Sequence, residues 1–424
     1  MMVSATTSAS PISVASVIFV AVGIHQLLSK QFPHGRPVDL APSNRHSGSP
    51  LDPSNDSLRL SNGKLTKIYE RVENEGSPLL VGPETIMFDA DGTIFTLTQQ
   101  SKLVSITDIQ QKSEDNAAIM TAKVTEVADL GIGRPLGGKF DSNNNCLYFA
   151  DVLKGLCRIC LDHKPKPVVE LLASRFQLQD GSWSDVTYAD DVDIGPRTGH
   201  VYFSDATDIK VDRDLHTGKW DIMYPSKLEA IRGLKTGRLL RYKPETGEVD
   251  LIASGAALFA NGVAVDAQEN VIVFTSTFEG KVMKYHLNGE KEGQLETILT
   301  DFPGFLDGID CSFHSSLCFV AMPAPATPDL KALFTIRPPV LSRFIRSILM
   351  LLPRGLAPDA KPYGGVAIVH RGDELSKPSI KQMYQDPTGR DISTITGVTE
   401  GRDGKVYLGS LHNDFIGVLD YQKG

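Results

Sequence analysis

The stretch GPETIMFDADGTIFTL, Gly82 to Leu97, decides how this chain is read. An approach segment leads into a short alternating strand, Asp91-Gly92 supplies a turn, and a β-rich run follows, which is how an antiparallel hairpin looks in sequence. Moving outward, the same plan returns in GRPLGGKFDSNNNCLYFAD from Gly133, YADDVDIGPRTGHVYFSD from Tyr188, FANGVAVDAQENVIVFTS from Phe259, FLDGIDCSFHSSLCFVAM from Phe305 and TITGVTEGRDGKVYLGS from Thr394. Unequal spacing hides this self-similarity. Further strands follow inside the units, as in GRLLRYKPETGEVDLIAS from Gly237 and GKVMKYHLNGEKEGQLETIL from Gly280. Six meander units over roughly 345 residues predict an all-β, six-bladed β-propeller, an architecture whose radial repetition protects strand edges and leaves a central channel.

Two copies carry long insertions, Ala206 to Thr236 and Pro323 to Pro362. The second contains LSRFIRSILMLLPRG, with Phe344, Ile348 and Leu351 at helical spacing and Arg343 and Arg346 between them. Such a helix can cover a blade, act as a lid or lie on a membrane surface.

The innermost strands of a propeller line its axis, so equivalent positions form a ring. The residues just ahead of the alternating strands are Glu84, Leu136, Asp190, Asn261, Asp307 and Thr396. Three carboxylates and a carboxamide in one register require compensation, because buried like charges repel and lose solvation. Turn capping explains any one of these residues but not their shared phase. An all-oxygen donor set suits a hard ion such as Ca2+ and argues against zinc. Asp191 adds a carboxylate one step on, which strand alternation turns away from the channel. Among the histidines no triad partner is evident and no G-x-S-x-G elbow occurs. His412, in YLGSLHNDF, either approaches the channel mouth or is a structural histidine.

The rest of the composition excludes several classes. The chain has 424 residues, 41% hydrophobic and 22% charged, enough to bury a sizeable core. A net charge of -8, without a Lys/Arg cluster, gives no footing on phosphate backbones, so no nucleic acid partner is expected. Five cysteines do not make a disulfide scaffold. Cys157 and Cys160 sit in a strand, GLCRICLD, where an offset of three puts them on opposite faces, as ordinary buried thiols. Cys311 and Cys318 flank the turn SFHSSL, where a cross-hairpin disulfide is conceivable in an oxidising compartment.

No Asp, Glu, Lys or Arg occurs before Lys30, and Pro11 to Leu28 reads PISVASVIFVAVGIHQLL. About 18 apolar residues can cross a bilayer core as a helix, so residues 1–30 are expected to be an uncleaved anchor. The rival, a cleaved signal peptide, lacks a basic n-region and an A-x-A site. Residues 31–58, rich in Pro, Ser, Asn and Gly, read as a flexible stalk, and 59–424 as the propeller. Lys30, His34 and Arg36 follow the span, and the positive-inside rule alone puts the bulk of the chain in the cytosol. Asn55-Asp56-Ser57 is the sole N-x-S/T sequon and points to the lumen, with Asn55 as acceptor.

With these features together, the chain resembles the strictosidine synthase-like branch of the calcium-dependent phosphotriesterase superfamily, especially its adipocyte plasma membrane-associated members. The resemblance runs from Gly82 to Asp420. It is carried by GPE at Gly82, GRPLG at Gly133, YFSDAT at Tyr202, TGRLLRYKPETGEV at Thr236, FANGVAV at Phe259, PGFLDGI at Pro303, KPYG at Lys361 and KVYLGSLHNDF at Lys405. It implies a type II single-pass protein of the secretory pathway, in the endoplasmic reticulum, vacuole or plasma membrane, with the propeller lumenal or extracellular.

The resemblance also implies a divalent cation, Ca2+, on Glu84, Asp190, Asn261 and Asp307, with Asp307 orienting or deprotonating water to open a small-molecule ester or lactone. Asp190 stands where relatives have Asn, and Gly308 where some have another Asn. Thr85 replaces an acid of the second, structural calcium of paraoxonases, and Pro135 and Leu136 stand in the region of their histidine. The glutamate used in amine-aldehyde condensation is missing, because Thr396 and Gly397 occupy that region and Glu400 comes too late. The function classes that follow are an ester or lactone hydrolase, a non-catalytic binding or scaffold propeller with a structural cation, and, third, a condensing enzyme.

Overall fold

The computed structural model describes residues 59–60, 64–71, 77–112, 118–162, 167–214, 218, 220–326, 339–350, 360–372 and 377–421. The expected anchor, stalk and Asn55 lie outside the described residues. Among those described, no helix is long and apolar enough to cross a membrane.

The chain is built from meanders. Strand β1 (Leu65–Glu70) comes first, followed by β2 to β5 (Ile86–Phe88, Ile94–Leu97, Lys102–Gln111, Ile119–Asp129) and β6 to β9 (Pro135–Asp141, Cys146–Asp151, Gly155–Cys160, Val169–Ala173). A small hairpin, β10 and β11 (Arg175–Gln177, Trp183–Asp185), precedes β12 to β15 (Ala189–Ile194, Val201–Asp205, Gly237–Lys243, Glu248–Ala257). Then come β16 to β19 (Ala260–Val265, Val271–Ser276, Lys281–His286, Leu295–Leu299) and β20 to β23 (Ile309–Cys311, Leu317–Met322, Gly364–His370, Ser379–Asp386). The chain closes with β24 to β26 (Ile395–Glu400, Val406–Ser410, Phe415–Leu419).

The four quartets between β6 and β23 are separate antiparallel sheets, β10 and β11 pair only with each other, and the remaining strands form one sheet in the order β2-β3-β4-β5-β1-β26-β25-β24. That sheet divides at a parallel pairing of β1 with β5, while β1 runs antiparallel to β26. The early strand therefore completes the last meander and protects its edge.

Local chemistry accounts for the hairpins. Asp89 Oδ1 accepts from the backbone N–H groups of Asp91 (3.0 Å) and Thr93 (2.8 Å), and Gly92 takes the positive φ of 85° that the turn requires. Asp266 does the same between β16 and β17, accepting from Asn270 and Val271.

The core lies between the meanders, where six apolar clusters each fill the seam between two neighbours. Phe149, Phe203, Phe274 and Phe319, one on each second strand of the four separate sheets, have no exposed surface. Each contributes on the order of 2–3 kcal/mol by leaving water.

Two disulfides cross-link registered strand pairs, Cys146–Cys160 between β7 and β8 and Cys311–Cys318 between β20 and β21. The expectation of ordinary thiols thus holds for Cys157 and is corrected for Cys160. Its true partner, Cys146, sits directly opposite on the neighbouring strand, which spacing within one strand does not reveal. Cys157 faces the other seam, as its offset from Cys160 requires, and burial pushes its thiol up to about 12. Titration with a thiol reagent should therefore find essentially no reactive group in the native chain and one per chain after unfolding without reductant. Reduction should lower the melting temperature, the 14-residue separation of Cys146 and Cys160 alone being worth about 3 kcal/mol.

Helix α1 (Met223–Arg232) lies in the first insertion and α2 (Pro339–Leu349) in the second. The second helix presents a different face from the one its spacing predicts. Arg346 is fully buried and donates to the Ile231 carbonyl at 2.8 Å, whereas Ile348 is 44% exposed; Leu351 lies outside the described residues. The guanidinium caps the end of α1, where Gly233 leaves room for it. Both insertions join second to third strands, so antiparallel alternation places them at the end of the channel where the innermost strands begin.

Candidate active site

The innermost strands β2, β6, β12, β16, β20 and β24 surround a cavity of about 790 Å³. Glu84, Asp190, Asn261, Asp307 and Thr396 all line it, at the end where these strands begin. Five of the six ring positions read from sequence are therefore brought together. Leu136 is not; it is buried in an apolar cluster with Val152, Tyr188, Ala206 and Phe259.

The ring depends on a repeated irregularity. Pairing with the second strand skips residues 136–137 in β6, 190–191 in β12, 261–262 in β16 and 396 in β24. A bulge breaks alternation, and here it corrects the expected outward turn of Asp191. That side chain is half-buried and lines the cavity, accepting from the backbone N–H groups of Val192 (2.8 Å) and Val263 (2.9 Å).

The backbone around each acid is pinned. The Asp307 carbonyl accepts from Thr275 Oγ1 at 2.6 Å, and its N–H donates to the Ala321 carbonyl at 2.9 Å. Asn261 and the Gly308 backbone temper the rise of its carboxyl, while the Gly308 N–H itself donates to the Thr396 carbonyl at 2.8 Å. Asp205 Oδ1 accepts from Thr187 and Tyr188, and its other oxygen pairs with Arg238, which fixes the approach to Asp190. The Glu84 carbonyl packs where a Cβ at Gly397 or Gly409 would stand only 1.9 or 1.7 Å away, so these glycines fit the first meander against the last.

Burial dominates the electrostatics. It pushes the Glu84 carboxyl up to about 7 against the pull of Arg134. Burial also raises Asp190 and Asp307 well above the usual carboxylate range, reinforced by repulsion from Asp307 and Glu84 on Asp190 and from Glu84 and Asp191 on Asp307. Asp191 is pushed up to about 7, chiefly by burial. Glu84 Oε2 and Thr396 Oγ1 are buried without a hydrogen-bond partner.

Among the described residues no three His, Cys, Asp or Glu side chains form a ready metal cluster; at this ring a carboxamide and a hydroxyl stand among the acids. The orphaned Glu84 oxygen and the mixed oxygen donors nevertheless fit a hard cation.

Two residues not singled out from sequence flank the ring. Arg134 is 8% exposed, and its charge acts on Glu84. Tyr188 is buried, with a phenol raised well above its ordinary value by burial and by Asp190, and it donates to the Ile222 carbonyl at 3.0 Å. Both lie in motifs quoted above, but neither position shares the phase that marked the acids. Tyr188 begins a chain of edge-on rings running through Phe259 and Phe278 to Phe305. His412 is not among the cavity residues. It is exposed, with its pKa lowered by partial desolvation and by Arg134.

Residues 190–290 match the family model described as Strictosidine synthase. The chain is 28% identical over 291 residues to the protein STRICTOSIDINE SYNTHASE-LIKE 13 of Arabidopsis thaliana, covering 68% of this chain and 62% of that protein, less than two thirds of the relative's own length. It is 27% identical over 387 residues to the adipocyte plasma membrane-associated protein of Salmo salar, covering 85% and 80%. A gluconolactonase structure from Xanthomonas campestris shares the fold, with a TM-score of 0.52 at 13% identity over 91% of this chain and 97% of that one.

Proposed function

Taking as premise that the chain is related to the strictosidine synthase-like and adipocyte plasma membrane-associated proteins, we propose that it is a six-bladed propeller hydrolase acting on a small-molecule ester or lactone with a divalent cation. The observation that carries this reading is the orphaned, buried Glu84 carboxylate oxygen in a cavity wall shared with Asp190 and Asp307. Four carboxylates, Glu84, Asp190, Asp191 and Asp307, line the cavity beside one guanidinium, Arg134, and their ionised forms carry an excess of negative charge that a divalent cation would offset. Glu84, Asp190, Asn261 and Asp307 would hold it, and when bound it supplies Lewis-acid polarisation of the ester carbonyl.

Asp307 orients the attacking water and takes its proton. Its backbone is fixed by Thr275 and Ala321, and its raised pKa makes it a usable base. Water adds to the carbonyl carbon, the C–O bond breaks, and the products are a carboxylate and an alcohol. Arg134 tempers the negative potential beside Glu84, and the packed Leu136, Tyr188 and Phe259 keep bulk water from the insertion side of the ring.

Hydrolysis of an arylester and of a γ-lactone should be detectable with calcium and fall to background with chelator. Turnover indifferent to chelator would sink this reading, and cation-dependent stability without turnover would support a scaffold instead.

We also propose a lumenal or extracellular propeller on an N-terminal anchor. The named membrane-associated relative, the apolar stretch before Lys30 and two disulfides support it. Glycosidase treatment should change the mobility of the wild-type chain and leave Asn55→Gln unaltered; no change in either would count against this topology.

A further inference from the structure

Past the ring, the channel holds a second acidic layer. Asp193 of β12 and Asp310 of β20 have side chains 4% and 14% exposed, and Lys139 of β6 reaches between them. Its Nζ lies 3.2 Å from Asp193 Oδ1 and 3.2 Å from Asp310 Oδ1. The backbone N–H groups of Ile194 (2.9 Å) and Val265 (2.8 Å) also donate to Asp193, and that of Glu400 to Asp310 Oδ2 (2.9 Å). The Phe313 ring stands 5.9 Å from the ammonium on another side.

This arrangement belongs to a series of polar stitches between successive inner strands. Thr85 Oγ1 donates to the Gly138 carbonyl, Val263 and Val265 donate to Asp191 and Asp193, and Gly262 donates to the Asp307 carbonyl. Gly308 donates to the Thr396 carbonyl, and Thr399 Oγ1 to that of Ile86. Lys139 supplies the link from β6 to β12 and also crosses the channel to β20.

We propose that Lys139 is the resident cation of this layer, its ammonium standing where a second divalent ion would otherwise be needed, so that the channel admits one divalent ion, at the ring. The inference rests on the cation reading of the ring. The two layers differ in what they already hold. At the ring a carboxylate oxygen lacks any partner, whereas both acids of the second layer have an ammonium and backbone donors. The two oxygens facing Nζ can be no more than twice 3.2 Å apart, close to the span of about 5 Å that calcium bridges with two ligand bonds. Without the ammonium, the buried Asp193 and the partly buried Asp310 would face each other with only backbone donors against their charge.

The test is calcium stoichiometry by native mass spectrometry and equilibrium dialysis on the full chain, with melting curves alongside. Wild type and Lys139→Arg should bind one ion per chain and Lys139→Met two, the second being lost in K139M/D193N/D310N. K139M should melt below wild type in chelator and regain much of the difference with calcium. A folded K139M that binds one ion, or a wild type that binds two, overturns the proposal. So does a K139M that stays unfolded in calcium while the triple variant folds. A wild type binding none beside a K139M binding one would remove the ring reading and leave the role of Lys139 standing.

Discussion

Asp307→Asn is expected to reduce ester or lactone turnover by at least about 100-fold while leaving the chain folded. The substitution keeps shape and removes charge. The backbone at this position is held by Thr275, Gly262 and Ala321, none of which depends on the carboxylate. A carboxamide cannot take the proton of the attacking water, and the ring loses one of its three anions. Without cation the variant should even melt above wild type, because repulsion among Glu84, Asp190 and Asp307 is relieved. Lower activity with higher cation-free stability is hard to obtain from simple misfolding. Turnover retained within a few-fold of wild type would remove Asp307 from the chemistry.

The second large effect is on the pH dependence of stability. In chelator, the melting temperature should fall as pH rises from about 5 to 8. A carboxyl held at about 7 when folded, against 4.5 otherwise, favours the folded state in its neutral form. That contribution is fully present below the unfolded value and disappears as pH climbs through the folded one. For Glu84 it amounts to about 3 kcal/mol. Asp191 follows a similar window, and Asp190 and Asp307, raised further, extend the loss to higher pH. Saturating calcium should abolish or reverse the slope, since ionised acids hold the ion and its binding releases protons. A cation-free melting temperature that rises over this range, or calcium without effect at pH 8, would contradict the buried acidic ring.

The hairpins could be read from Asp-Gly turns and alternating strands because those signals are local. The ring could be read because the repeat fixes phase: Glu84 and Asp307 come just ahead of an inner strand, Asp190 and Asn261 are the second residues of theirs, and all four line one cavity. What escaped depends on partners distant in the chain. Asp191 turns inward because the pairing of β12 with β13 skips it, and a bulge leaves no mark in a strand's own alternation. Cys160 finds Cys146 across a sheet. Arg346 is buried because the end of α1 offers a carbonyl, although its own spacing marked a polar face. Lys139, in GGKF, carries no signal of its own in the sequence; β12 and β20 bring Asp193 and Asp310 to it.

The strand Leu65–Glu70 carries a consequence for synthesis. It is translated among the first of the described elements, yet its antiparallel neighbour, Phe415–Leu419, is the last of the described strands to leave the ribosome. Pairing of the first strand with the last meander must therefore wait until Phe415–Leu419 has emerged, and a chain truncated before Phe415 leaves a seam open. The parallel register of the same strand with Ile119–Asp129 gives it an early berth, since that neighbour emerges soon after it. A nascent chain can hold its clasp in place early and fasten it when that later strand emerges.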